Sequence, residues 1–184
     1  MALPPAPLTN VPGVSALFAY HSPKVHDAVW EIKYRGSRAM AEVCGQLLYD
    51  TLVSDLDEAR VFERFTDIRI VPMPISDARR LERGWNQAEL LSEALLSHDK
   101  GAHFTYAPHL LTKVRHTESQ THTSSKEERL KNLRHSMRAR EDILPKTCIV
   151  LVDDVYTTGA TYNEAKRALQ DAGARHVFCI TLAH

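Results

Sequence analysis

Two adjacent carboxylates, Asp153 and Asp154, are followed after two residues by Thr157-Thr158-Gly159-Ala160-Thr161. The apolar run before them, Cys148 to Val152, fits a parallel strand covered on both faces. The acids then stand at its C-terminal edge, where open α/β sheets bind ligands. The threonine-glycine stretch leads into a helix that runs to about Asp171. A helix N-terminus offers unpaired N–H groups and the positive end of a dipole, which suit phosphate. The threonine hydroxyls add donors, and Gly159 lets the backbone approach a ligand or take positive φ. The acids repel a bare phosphate. They make sense beside a ligand with hydroxyls, or a hydrated divalent cation, about one sugar away from that phosphate. Ribose 2- and 3-hydroxyls meet this condition, so Val150 to Thr161 is expected to hold a sugar 5-phosphate.

The elements that must position these groups follow from periodicity. Val25, Ala28, Val29 and Ile32 predict a helix starting at Pro23, a suitable first position, and ending at Gly36. Met40, Val43, Cys44, Leu47 and Leu48 predict the apolar face of a second helix. Ile68 to Val71 predicts a strand that stops at Pro72 and Pro74. A helix resumes after Gly84 with Ala88, Leu91, Leu95 and Leu96 inward, and Leu110-Leu111 suggests a short strand. Ser124 to Leu133 carries helix formers and a capping pattern. Gly173 closes the helix after the acids, and His176 to Leu182 forms the next strand of a right-handed β-α-β unit. Residues 1–15 hold four prolines and little periodicity, which predicts an extended lead-in.

Several side chains allow two readings. Trp85 is a core aromatic or a stacking platform. Arg79, Arg80 and Arg83 neutralise a bound anion or are simply solvated. Lys33, Tyr34 and Arg35 fit a surface helix end better than a ligand face. From Lys113 to Arg140 there are eight Lys/Arg and three acids, a net +5. That segment tracks a nucleic-acid backbone or is a solvated charged stretch; it lacks aromatic residues for stacking.

Bulk properties narrow the class. With 23 basic and 23 acidic residues the net charge is zero, so the whole molecule is no electrostatic trap for nucleic acid. Cys44, Cys148 and Cys179 are widely spaced without a C-x-x-C pair, which argues against a thiolate zinc site and for buried, reduced thiols in the cytoplasm. The histidines show no ligand spacing, and no metal ligand is assigned. The N-terminus is not a signal peptide, and no apolar run is long enough to span a bilayer.

Ile149 to Thr161 closely resembles the phosphoribosyl diphosphate signature of type I phosphoribosyltransferases, with Tyr156 where most members carry an aliphatic residue. Val71-Pro72-Met73-Pro74-Ile75 and Arg83-Gly84-Trp85-Asn86-Gln87-Ala88-Glu89-Leu90-Leu91 resemble the ComF family of competence-associated proteins. So do Arg115 to Gln120, with Arg129 and Asn132 downstream, and Ile32-Lys33-Tyr34-Arg35-Gly36. The resemblance runs from about Tyr20 to the C-terminus, which divides the chain into a lead-in, 1–19, and a phosphoribosyltransferase-like domain, 20–184. Many ComF proteins begin with a cysteine-rich zinc finger. This chain shows none, so no zinc is expected.

The resemblance implies an α/β, type I phosphoribosyltransferase-like fold, a mainly parallel sheet flanked by helices. It implies that Asp153 and Asp154 position ribose hydroxyls while Thr157, Thr158, Gly159, Ala160 and Thr161 hold the 5-phosphate. The loop at Met73 would offer amides to diphosphate, although Pro72 and Pro74 delete two donors and leave Met73, Ile75 and Ser76. Arg83 would offset diphosphate charge. Arg115, Gln120 and Arg129 would work in a mobile loop that excludes water, with Arg115 in the catalytic set. Mg²⁺ would arrive with phosphoribosyl diphosphate. Two functions follow. One is a ComF-type protein that binds phosphoribosyl diphosphate or a nucleotide and serves DNA uptake and natural transformation, handling single-stranded DNA through competence or DNA-processing partners with weak or indirect contact. The other is an active phosphoribosyltransferase in nucleotide salvage or synthesis. No stretch selects an acceptor, so turnover stays open.

Overall fold

The strand that ends in the two carboxylates lies in the middle of the sheet. In the computed structural model, which describes residues 11–59, 61–114 and 135–184, five strands run parallel. Their spatial order is β1 (Val14–Phe18), β7 (His176–Ala183), β6 (Thr147–Val155), β2 (Asp67–Pro72) and β3 (Thr105–Tyr106). A separate antiparallel ribbon pairs β4 (Leu111–Lys113) with β5 (Met137–Ala139). The helices are α1 (Pro23–Arg35), α2 (Arg38–Glu58), α3 (Val61–Arg64), α4 (Asp77–Arg83), α5 (Gln87–Ser97) and α6 (Ala160–Asp171). The expected α/β architecture, a mainly parallel sheet flanked by helices, is present.

The sheet divides the core in two. Cys148, Val150 and Val152 of β6 pack with α1, α2 and α5, while Ile149 and Leu151 pack with α6. All five are fully buried. A central strand covered on both faces needs apolar residues without alternation, as the sequence of β6 has. The β6–α6–β7 unit forms as expected, with Val150 opposite Phe178 and Asp153 opposite Thr181. The three cysteines are buried and unpaired.

Three expectations are corrected. Residues 14–18 are not lead-in but an edge strand, with Val14 opposite Cys179 and Phe18 opposite Ala183. Its partner lies at the far end of the chain, where local periodicity gives no sign of it. On α2 the buried stripe is Ala41, Cys44, Gly45, Leu48, Leu52 and Leu56, whereas Val43 and Leu47 are exposed. Those two side chains border an open apolar groove between α1 and α2, beside Val25 and Ala28, rather than the closed core. Helix α4 was not anticipated because it buries no residue and so has no apolar period. Ser76 caps it by accepting the Arg79 N–H.

Asn86 fixes the entry to α5. Its Oδ1 accepts the Ala88 N–H at 3.0 Å, and its Nδ2 donates to the Met73 carbonyl at 3.0 Å. One buried side chain thus caps the helix and satisfies the loop after β2. Asn86→Ala should lower stability by roughly 2–4 kcal/mol, from a lost cap plus a buried carbonyl without a donor. A urea midpoint unchanged from wild type would contradict this role.

Candidate phosphoribosyl site at the β6–α6 junction

Strand alternation gives the two acids different neighbours, while their carboxyls stay close enough to interact with each other. Asp154 follows the Val150-Val152 row toward α1, where Lys33 Nζ stands 3.6 Å from its Oδ2. Asp153 follows the Ile149-Leu151 row and borders a small space of about 30 Å³ beside Tyr156, Thr157, Gly159 and Thr161. Backbone amides orient both groups. Asp153 Oδ1 accepts the Asp154 N–H at 2.9 Å, and Asp154 Oδ1 accepts the Val155 N–H at 3.0 Å. The other oxygen of Asp154 is buried and has no hydrogen-bond partner among the described residues. A lysine at 3.6 Å is too far to supply one.

This crowding has an electrostatic consequence. Burial, then the neighbouring Asp154 carboxylate, pushes the Asp153 carboxyl well above the usual range, and Lys33 opposes the shift. The pair is therefore prepared for donors or a cation that no described residue provides within hydrogen-bond distance.

The other side of this space is built by the turn into α6. Gly159 occupies the N-cap with φ 72°, a left-handed conformation that favours glycine; it has no side chain to cap the helix, and the Thr158 hydroxyl accepts the Ala160 N–H at 3.5 Å. The first amides of α6 have no partners within the helix. The hydroxyl of Tyr156 lies against Gly159, so a Cβ at that position would collide with it. The Tyr156 ring stacks on His184, with centroids 5.5 Å apart. The space holds about one water; Thr157, which lines it, is exposed, as is the adjacent Thr158.

Other predicted residues fall out differently. Met73 is corrected as a diphosphate donor, because its N–H donates to the Val152 carbonyl at 2.9 Å and is used in the sheet ladder. Its side chain lines the small space beside Asp153 instead. Arg80 pairs with Glu89. Arg83 places its guanidinium 5.2 Å from the centre of the Tyr34 ring, and its Nε and Nη1 are buried without an acceptor among the described residues. Arg115, Gln120 and Arg129, like the Ser124–Leu133 helix, lie outside the described residues.

The structure assigns Trp85 a third role, as a buttress. Its Nε1 donates to the Ile32 carbonyl at 3.0 Å, and its ring lies on Gly36, where a Cβ would stand 3.0 Å from ring carbons. Gly36 also has φ 61° as the C-cap of α1. The Lys33–Gly36 and Arg83–Gln87 segments, distant in sequence, therefore meet at one edge of the site. Lys33 was read as a surface helix end, yet it reaches Asp154. The one signal that could have placed it was its position directly after the buried Ile32.

Sequence reasoning also missed the support of β5. Glu164, buried on α6, accepts the Met137 N–H at 3.2 Å, and Arg167 donates to the Met137 carbonyl at 3.1 Å. Burial raises the Glu164 carboxyl, but the Arg167 hydrogen bond and the Met137 amide outweigh it and leave the group below its ordinary value. Between the β2–α4 connection, α5 and β4 lies a larger cavity of about 530 Å³ lined by Pro74, Glu89, Tyr106, Lys113 and Arg140. Burial, then Arg79, lowers the Lys113 amine.

Because the folded-state value of Asp153 is raised, its ionised form costs stability. The protonated group favours the folded state at low pH, and that contribution is lost as pH rises through the raised value. Asp153→Asn keeps the acceptor for the Asp154 amide without the charge. It should therefore raise the melting temperature at pH 7, with the gain vanishing below about pH 4. Melting curves of both proteins across that range test this; a gain that grows toward acid pH would contradict it.

The family model described as phosphoribosyl transferase domain matches residues 103–184, which include this junction. Competence protein F of Haemophilus influenzae is 34% identical over 110 residues, covering 59% of this chain and 46% of that protein. Competence protein ComFC of Streptococcus pneumoniae is 31% identical over 172 residues, covering 92% of this chain and 68% of its own. DNA utilization protein YhgH of Escherichia coli (strain K12) is 29% identical over 164 residues, covering 88% of this chain and 69% of that one. The chain thus spans less than half the length of the Haemophilus protein and about two thirds of the other two. With nearly its whole length aligned to ComFC, and with the β6–α6 junction inside the matched phosphoribosyltransferase region, the chain belongs to the ComF family of type I phosphoribosyltransferase-fold proteins.

Proposed function

We propose that this chain binds phosphoribosyl diphosphate, or a nucleotide with the same ribose 5-phosphate, and serves DNA uptake in the cytoplasm through protein partners. One observation carries the ligand assignment. A buried Asp154 oxygen without a donor among the described residues and the half-buried Asp153 stand at the strand end that leads into the glycine-capped first turn of α6. Ribose hydroxyls would donate to the acids, and the 5-phosphate would accept from the α6 amides and the Thr157, Thr158 and Thr161 hydroxyls. The DNA-uptake role rests on the printed names of the competence and DNA utilization relatives.

The residues fit Mg²⁺ in one way. Among the described residues no group of three or more metal-ligating side chains is assembled. Two adjacent carboxylates suit an ion that keeps several waters and takes its other ligands from the diphosphate. Asp153 and Asp154 would hold that hydrated ion, and the ion would neutralise diphosphate charge. Arg83 supports the same end, and Arg115, Gln120 and Arg129 are assigned to the diphosphate on family resemblance. No helix among the described residues is long and apolar enough to cross a membrane.

Calorimetry with phosphoribosyl diphosphate and Mg²⁺ tests the site. Wild type should bind, and Asp153→Asn/Asp154→Asn should weaken binding roughly 10- to 100-fold through lost charge-assisted hydrogen bonds. No binding by wild type, or undiminished binding by the double variant, rejects the assignment. A diphosphate-release screen over purine and pyrimidine bases separates binding from turnover. Binding without release is expected, and release with one base would favour an active salvage or synthetic enzyme.

A further inference from the structure

The cavity of about 530 Å³ between the β2–α4 connection, α5 and β4 holds a group of cations that the ribose 5-phosphate reading does not use. Strand alternation delivers Lys113 into it. Leu111 and Lys113 share one face of β4, and Leu111 on that face is fully buried. The lysine is half-buried as a result. Arg140, one residue past β5, lines the same cavity; its N–H donates to the Leu110 carbonyl at 2.9 Å and extends the ribbon. From α4, Arg80 lines the cavity, and Arg79 is close enough to act on the Lys113 amine.

Two of the three acids that line this space are engaged elsewhere. Glu89 pairs with Arg80, and Glu93 lies 3.6 Å from Arg38. Both flank the Tyr106 phenol, which burial, then Glu93 and Glu89, pushes well up. The third, Asp77, is exposed in the first turn of α4. Among the described residues, Lys113, Arg79 and Arg140 form no ion pair with any of them. A lysine in such surroundings gives up its proton more readily than one at the surface, because burial, then Arg79, lowers its amine. The cavity thus combines a nucleophilic nitrogen with cations that lack an anion.

We propose that Lys113 is a carboxylation site: carbon dioxide adds to its side-chain amine, and the resulting carbamate pairs with Arg79 and Arg140. The nitrogen lone pair attacks the carbon of carbon dioxide, and an N–C bond forms. One C=O π bond opens, and its electron pair becomes the carboxylate charge. The nitrogen releases one proton to water. Carbon dioxide is the only co-reactant. The product places an anion where the guanidinium groups had only another cation, so repulsion becomes charge-assisted hydrogen bonding. Selectivity follows from protonation. Only a neutral amine reacts, and a solvated lysine, with a pKa of about 10.4, is almost wholly protonated near neutral pH. The exposed Lys24 and Lys100 are of that kind. Asp153 and the Thr157–Thr161 turn do not line this cavity, so the site is independent of the ribose 5-phosphate reading.

Chemical trapping tests the site. The full chain is equilibrated near pH 8 with isotopically labelled bicarbonate, alkylated with a trialkyloxonium salt, digested and read by peptide mass spectrometry. The α-amine of the chain, ordinarily with a pKa of about 8, should be labelled in every variant and serves as the internal standard. Label is expected on Lys113 and on no exposed lysine, and Lys113→Met should lose it. Arg79 favours both the neutral amine and the anionic product. Arg79→Gln should therefore lower the occupancy of Lys113 roughly 2- to 5-fold, the worth of a partly screened ion pair. Because label is assigned residue by residue, wild type alone decides the site. An unlabelled Lys113, or label there no greater than on Lys24 and Lys100, overturns the assignment. So does an Arg79→Gln occupancy equal to that of wild type.

Discussion

A strand buried on both faces sends its side chains alternately to the two halves of the core, and β6 keeps that alternation to its last residues. The result is a pair of adjacent carboxylates facing different neighbours, one toward α1 and one toward α6. Neither is neutralised within hydrogen-bond distance by a described side chain. Adjacent carboxylates with a buried, unpartnered oxygen oppose folding. The hydrophobic packing of Cys148 to Val152, buried without exception, must outweigh that opposition. The glycine-capped helix end across the turn is the electrostatic complement. It attracts anions, whereas the acids attract hydroxyls and cations, and only a ligand carrying both satisfies the two together.

The rest of the molecule holds this arrangement in place from two sides. On one side Trp85 pins the end of α1, which delivers Lys33 to Asp154, and Asn86 ties the loop after β2 to the start of α5. On the other side Tyr156 lies against Gly159 and His184, so the turn, the helix cap and the chain's last residue share one contact group. Residues matched as separate blocks in the sequence are thus parts of one support. Arg83 through Gln87 contains a cation, a helix stop, a buttress and a helix cap in succession, each acting on a different neighbour.

Much of this was legible beforehand, for physical reasons that differ by element. The β6–α6–β7 unit announces itself because a doubly covered strand, an N-cap glycine and an amphipathic helix each have a local signature. The carboxylates and the threonine-glycine turn were readable because their chemistry depends on residues adjacent in the chain. Strand β1 was not readable, since its pairing with β7 joins opposite ends of the sequence. The Met73 amide was misassigned because the sequence does not show where a ladder stops, and here it continues one residue past Pro72. Lys33 and Trp85 were ambiguous because their roles exist only where α1 meets α4 and α5. Arg115, Gln120 and Arg129 lie outside the described residues.

Helix α6 serves two ends of the molecule with one rigid body. Its first turn faces the proposed phosphate position, and Glu164 and Arg167, one and two turns on, grip the backbone of β5 at Met137. In an α-helix each residue advances the axis by about 1.5 Å and turns it by about 100°. One residue inserted between Gly159 and Glu164 would swing the grip to another face of the helix, where β5 is absent. The interval between the glycine and the glutamate is therefore set by helical geometry, and insertions or deletions in this family should be excluded from it while remaining permissible in the loops on either side of the unit.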